Sequence, residues 1–184
     1  MIKVFHASYQ IIEKPDVHYG RINADFGQGF YVTDSKEFAS RWVRQKPGEN
    51  IYINCYELDD ETLNIKKLDR DSQWFKYVFS NRRSLPDSLS NYDVITGPIA
   101  NDTIFNTLGI MTSGVLTDDQ AMSLLSIGPC YKQIALKTNI AASKLKFISS
   151  EILSLEEIQK NRALLEADEE KYLEEFAAVM NEIL

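Results

Sequence analysis

The chain has 184 residues, of which 44% are hydrophobic and 26% charged, and it carries a formal net charge of −7. These proportions fit one globular domain with an appendage and exclude collagen-like and disordered chains. No apolar run approaches the ~18 residues of a membrane-spanning helix. The first residues, Met1 to His6, read as a strand and not as a secretory leader.

Two cysteines, Cys55 and Cys130, and two histidines, His6 and His18, are the only soft ligands. They lack C-x-x-C or H-x-x-x-H spacing, so neither structural zinc nor any other metal site is expected. Free thiols suit a reducing cytoplasm. The charge is uneven. Residues 151–184 hold ten acids and three bases, a net of −7, which leaves residues 1–150 balanced at seventeen against seventeen. A neutral main portion gives no broad footprint for nucleic acid, although Arg82-Arg83 is a place where a local basic cleft can begin.

In chain order, residues 2–5 form a short strand ending at His6, and residues 9–25 a loop. Asp25-Phe26-Gly27-Gln28-Gly29 is a turn leading into a strand at residues 30–33. Asp34 or Ser35 caps a helix with Phe38, Trp42 and Val43 on its apolar face, stopped by Pro47-Gly48. Residues 51–58 alternate as a strand with Cys55 buried. A short strand follows at residues 63–65. Asp71 caps a helix through Trp74, Phe75, Val78 and Phe79 that ends near Arg82. Residues 92–96 are a buried strand stopped by Gly97-Pro98, and residues 102–113 a loop or short helix. Thr117 with Gln120 is a capping box for a helix through Leu125, which Gly128-Pro129 breaks. Residues 131–138 alternate as a strand, 140–145 make a helical turn, and 146–148 a last strand. A second capping box, Ser154 with Glu157, opens a helical tail toward Leu184. Its expected stripe is Leu155, Ile158, Leu165, Leu173, Phe176, Ala177, Met180 and Ile183. Short strands with helices between them, without regular alternation, define an α+β class. The division is a domain at 1–150 and an acidic amphipathic tail at 151–184.

Three features carry chemistry. His6 closes a strand, where a ring nitrogen can meet a ligand hydroxyl or simply face solvent. Gly27 and Gly29 allow positive φ and close backbone approach, either to a ligand or within a tight turn. The strand after them presents Tyr31 on one face, a platform for a flat heterocycle, with Phe30 and Val32 on the other. No helix follows the glycines, so this is not a dinucleotide-binding G-x-G-x-x-G turn. Gln133 stands in an apolar strand; if buried, it needs hydrogen-bond partners. Trp42 and Trp74 read as core residues. Arg82 at a helix end can grip a pyrophosphate or satisfy last-turn carbonyls.

In this order, His6, Gly27-Gln28-Gly29-Phe30-Tyr31 and Gln133 resemble the ADP-ribosyltransferase fold of the diphtheria-toxin and poly-ADP-ribose-polymerase type. The chain as a whole, over residues 2–148, resembles a bacterial family of unknown function, the DUF3990 family, placed in that superfamily. Val4 to Ser8, Asp25 to Thr33, the helix from Asp71 to Arg82 with Trp74 and Asn81, and Tyr92 to Pro98 support the match. The resemblance implies a split β-sheet core with flanking helices and NAD as substrate. His6 would contact the ribose next to nicotinamide, the Ala7 backbone its carboxamide, and Tyr31 its ring. Gly27, Gly29, Phe30, Asn81, Arg82 and Asp93 would complete the NAD site; Asp93 also reads as a buried structural carboxylate. Gln133 takes the position where relatives carry glutamate. An amide there orients a hydroxyl but brings no charge, and Glu57, Asp93 or Asp102 are acids that could lie near it.

Two functions from different classes follow. The first is transfer of ADP-ribose from NAD to a protein or nucleic acid, in a toxin–antitoxin or defence setting. The second is a module that keeps the fold and binds NAD, ADP-ribose or a protein without turnover. The tail either packs on the domain or offers a surface to a protein partner; its negative charge disfavours acidic lipid.

Overall fold

The computed structural model describes residues 1–99, 117–125, 127–128 and 130–183. The described elements are β1 (Ile2–Ser8), β2 (Phe30–Val32), α1 (Lys36–Ser40), β3 (Tyr52–Leu58), β4 (Ile65–Lys67), α2 (Ser72–Arg82), β5 (Val94–Pro98), α3 (Asp118–Leu125), β6 (Lys132–Leu136), α4 (Asn139–Ser143), β7 (Leu145–Ile152) and α5 (Leu155–Ile183). The expected segment at 102–113, Asp102, and the Pro129 half of the Gly128-Pro129 break lie outside the described residues.

The strands form two sheets, ordered β1-β3-β7 and β2-β6-β5-β4. All described pairs are antiparallel except β4 with β5. The sheets meet at one isolated bridge among the described residues, where Phe5 and Thr33 exchange backbone hydrogen bonds of 2.8 and 3.0 Å. One step further along an antiparallel ladder Ala7 would face Tyr31, because bonded residues recur every second position. Instead the His6 side chain takes the Tyr31 carbonyl at 2.6 Å. The ladder therefore splits at this point, and a cleft lies beside it.

Alternation decides what each face buries. Phe30 and Val32 of β2, Ile134 and Leu136 of β6, Val4 of β1 and Tyr56 and Leu58 of β3 share the core between the sheets. Tyr31, Ala135 and Ile95 point the other way, onto Phe26 and onto Trp74, Tyr77 and Val78 of α2. The α2 cap is as expected: the Asp71 carboxylate accepts from the Gln73 and Trp74 amides at 2.9 and 3.0 Å. Both capping boxes form, Thr117 with Gln120 and Ser154 with Glu157. Cys55 is buried in β3 and Cys130 is exposed.

Several boundaries differ from the sequence reading. β1 runs on to Ser8, so His6 lies inside a strand and not at its end; pairing with β3 carries the strand past the point where alternation fades. α1 stops at Ser40, and Trp42 and Val43 belong to the turn beyond. The Arg41 and Trp42 amides bond to carbonyls three residues back and tighten the chain out of the helix. β4 covers 65–67 instead of 63–65, because Leu63 turns inward to plug the core. β5 continues through Gly97 and Pro98, a proline tolerated at a strand end. β7 extends to Ile152, so the expected boundary at 150 falls within a strand.

The tail helix is long, as expected, and part of its expected stripe packs: Ile158 on the cluster around Leu153, and Phe176 and Met180 on Leu124, Ile127 and Tyr172. Leu155 is 70% exposed and Leu173 54%. Asn161, Asp168 and Tyr172 face the domain beside them. Asn161 Nδ2 donates to Ser40 Oγ at 2.8 Å, and Tyr172 is buried beside Leu124 and Ile127. Asn161 and Asp168 anchor the helix through polar partners, Ser40 at the end of α1 for one and Arg41 and Tyr131 for the other. Among the described residues no helix is long and apolar enough to cross a membrane.

Candidate functional site

Beside the split, a cleft of about 500 Å³ lies between the second sheet and the α1 turn. One wall comes from β2, β6, the end of α2 and the 21–25 loop, and presents Tyr31, Gln133, Arg82, Arg21 and Asp25. The other comes from α1 and the turn after it, with Phe38, Arg41, Trp42 and Arg44; Leu165 of α5 touches the rim.

Tyr31 stands in the cleft because β2 alternation turns it away from Phe30 and Val32. Its hydroxyl donates to the Gly27 carbonyl at 2.7 Å and accepts from the Phe26 amide at 2.9 Å. Burial, and then the nearby Asp25 charge, push the phenol well above its ordinary value. It stays neutral, and its ring face is what it offers.

His6 sits behind this wall. Its ring lies 4.5 Å from Phe30 and edge-on to Trp42 at 6.1 Å. A carbonyl only accepts, so Nδ1 carries the proton on Tyr31 O, and Nε2 is left as an acceptor. Burial lowers the His6 pKa, and the bond to the Tyr31 carbonyl opposes this in part. Ala7 is buried beside Ile51 and Ile53. By the alternation of the ladder, its backbone N–H and C=O face the same side as those of Phe5, toward the split.

Gln133 is buried in mid-strand, so it needs partners, and one is a residue that sequence reasoning missed. Its Nε2 donates to Asp25 Oδ2 at 3.0 Å. The other Asp25 oxygen takes Arg82 through Nε at 2.6 Å and Nη2 at 2.5 Å. Asn81, one residue earlier, donates to the Asp25 carbonyl at 3.2 Å. The last turn of α2 thus holds the loop and its carboxylate against β6. Asp25 opens the turn before Gly27, but nothing local links it to Arg82 or Gln133, so its role leaves no local signal. Arg41 was also missed. Its guanidinium donates to Tyr131 Oη at 2.7 Å and pairs with Glu37 at 2.5 Å and Asp168 at 3.1 Å, while Nε is buried without a hydrogen-bond partner among the described residues.

The remaining expected site residues stand elsewhere. Gly27 has φ +74°, and the space of its missing Cβ is closed by Lys137 Nζ at 2.9 Å and Asn81 Oδ1 at 3.0 Å. A Cβ on Gly29 would meet the Leu136 carbonyl at 2.6 Å. Both glycines let the turn pack against β6 and α2, and the protein's own atoms fill the room they leave. Phe30 is in the core between the sheets. Asp93 accepts from the Asn64 amide at 3.0 Å and from Thr138 Oγ1 at 2.7 Å, and so ties β4 and α4 to the start of β5. Glu57 pairs within the first sheet, opposite Lys3 and Lys146. Neither acid lines the cleft. No group of three or more His, Cys, Asp or Glu side chains able to hold a metal is found among the described residues.

The cleft has four arginines against one aspartate in its lining, in a chain whose net charge is −7. Arg82 and Arg41 are held by carboxylates. Arg21 and Arg44 are exposed at the rim and make no ion pair among the described residues. The arrangement suits an extended anion with a flat ring at one end.

These features sit in a mixed α+β protein with two sheets and a C-terminal helix. The family model described as "Protein of unknown function (DUF3990)" matches residues 2–147, and the chain belongs to that family. No curated protein is significantly similar to this chain.

Proposed function

We propose that this chain is an ADP-ribosyltransferase-like protein that takes NAD into the cleft beside the split of the sheets and transfers ADP-ribose to a protein or nucleic acid. One observation carries this reading: Tyr31 and Gln133, from paired strands, open onto a single cleft beside His6, under a rim of arginines. The reaction breaks the bond between nicotinamide nitrogen and ribose C1′. The electron pair leaves with nicotinamide, positive charge spreads over the ribose ring, and an acceptor nucleophile attacks C1′ and gives up its proton.

The roles are those the resemblance implies; Tyr31 and Gln133 line the cleft, while His6 and Ala7 lie behind Tyr31, outside the cleft lining. Neutral His6 offers Nε2 to a ribose hydroxyl. Ala7 offers backbone groups to the carboxamide, and the Tyr31 ring a stacking face. Arg21 and Arg44 are placed for a pyrophosphate, which guanidinium forks bind well. Gln133 orients the second ribose hydroxyl. A second reading has one observation in its favour: the amide at 133 carries no charge to stabilise the cation, as a binding module without turnover would allow.

Thermal unfolding with NAD and an assay of nicotinamide release separate the two. We expect NAD to raise the melting temperature of the wild type, nicotinamide to be released, and His6→Ala and Tyr31→Ala to lose both effects. A shift without release selects the binding module. No shift and no release defeat both readings.

A further inference from the structure

A buried primary amide has one donating end and one accepting end, and its neighbours decide which points where. Gln133 is 6% exposed. Its nearest polar neighbours on one side are the Asp25 carboxylate at 3.0 Å and the Pro98 carbonyl at 3.5 Å. Both are acceptors, so the NH₂ group must face them, and Oε1 is left as the end that a hydroxyl can use. The carboxylate that imposes this order is itself fixed: its other oxygen receives two hydrogen bonds from Arg82, and its loop is held by Asn81. Asp25 therefore has a defined geometry on the cleft wall, one hydrogen bond behind the amide.

We propose that Asp25 carries the negative charge of this site and acts through Gln133 as its positioning residue. Residues 25 and 133 then form an acid–amide pair in which the charge sits on the loop and the hydroxyl acceptor on β6. This role rests on the ADP-ribosyl reading above. The amide at 133 is in this view a relocation of the acid and not its loss. Arg82 balances this carboxylate from the Oδ1 side, so the ion pair turns its negative end, Oδ2, toward Gln133 and through it toward a cation developing on the ribose. The pairing also explains why an acid at 133 would not suit this chain. Glutamate there would set two carboxylates about 3 Å apart, and like charges so close cannot both ionise at neutral pH.

The test uses the full chain as wild type, Asp25→Asn, Gln133→Glu and the exchange Asp25→Asn/Gln133→Glu, each followed by nicotinamide release and by thermal unfolding between pH 5 and 8. Asp25→Asn should lower kcat on the order of 10²-fold with KM for NAD little changed. Gln133→Glu should gain no activity. Its paired carboxyl has a folded pKa raised above the unfolded value, so the variant should be least stable at pH 8 and recover as pH falls through that raised value. Asp25→Asn strips Arg82 of a buried partner and can fail to fold; the exchange keeps one carboxylate and one amide in contact. It should unfold close to wild type at pH 8 and regain most of the kcat lost in the single variants. The proposal is overturned if Gln133→Glu is as stable as wild type at pH 8 and more active, if Asp25→Asn folds and keeps its kcat, or if the exchange folds and stays as slow as the singles. Wild type that releases no nicotinamide, whether or not NAD shifts its unfolding, defeats the transfer reading and this role with it. Wild-type release combined with an indifferent Asp25→Asn defeats this role alone.

Discussion

On the sheet side of the cleft, Tyr31, Gln133, Asp25 and Arg82 hold one another and the neighbouring backbone through short hydrogen bonds on paired strands and a capped helix. On the facing side, Arg41, Trp42 and Arg44 stand on a five-residue helix and the turn after it, braced by ion pairs to Glu37 and to Asp168 of the tail. The first wall is set by backbone pairing and buried polar contacts, which resist water and salt. The second is set by pairs that solvent reaches, worth little each. In the proposed binding mode such a cleft would keep its Tyr31 platform fixed while its rim adapts to the ligand.

The sharpest way to break this contrast is Arg82→Ala. The Arg82 and Asp25 side chains are 6% and 12% exposed, and removing one partner of so enclosed a pair should cost about 3–5 kcal/mol in urea denaturation. A loss below about 1 kcal/mol would place both walls in the same class. A smaller effect should come from His6, which touches both sides through Tyr31 O and the Trp42 ring. Burial holds its folded pKa below the unfolded value of about 6.5. The native state therefore binds the proton less readily than the unfolded chain. The contribution is present above about pH 6.5 and is lost as pH falls toward the lowered folded value. Denaturation at pH 5 and 7.5 should show wild type losing more stability on acidification than His6→Gln. The smallest effect should be Asp168→Asn, which frees Arg41 from the tail. Asp168 is 38% exposed, so a loss of about 0.5 kcal/mol is expected, shrinking as salt rises.

Much of the fold was legible where local chemistry was strong. The Asp71 cap, the two capping boxes and the alternation of 51–58 and 131–138 appear in the structure at or near their expected positions, since each depends on neighbours within a few residues. The end of α1 was not legible. Trp42 and Val43 keep helical spacing in sequence, yet they pack against Ala7 and Ile51 from a turn. The tail stripe was legible in part: Ile158, Phe176 and Met180 pack as expected, while Leu155, Leu165 and Leu173 stay exposed. Leu173 scores as apolar, but Tyr172 and Asn161 have the partners, Leu124 and Ile127 for one and Ser40 for the other. In the cleft, Tyr31 and Gln133 could be singled out by type and position. Asp25 could not, because its meaning comes from Arg82 and Gln133, 57 and 108 residues away.

The amino-acid sequence by itself determined the α+β class, the capped helices, the inward and outward faces of β2 and β6, and the accumulation of acid in the tail. These are short-range properties, fixed by side-chain period, cap chemistry and composition. Only the tertiary structure decided where the two sheets part, that a histidine side chain takes the carbonyl at the split, and that an aspartate from a loop stands against the amide of β6. Those outcomes need strands from distant parts of the chain to be brought together first. The contacts that define the cleft exist only after the backbone ladder has chosen its register.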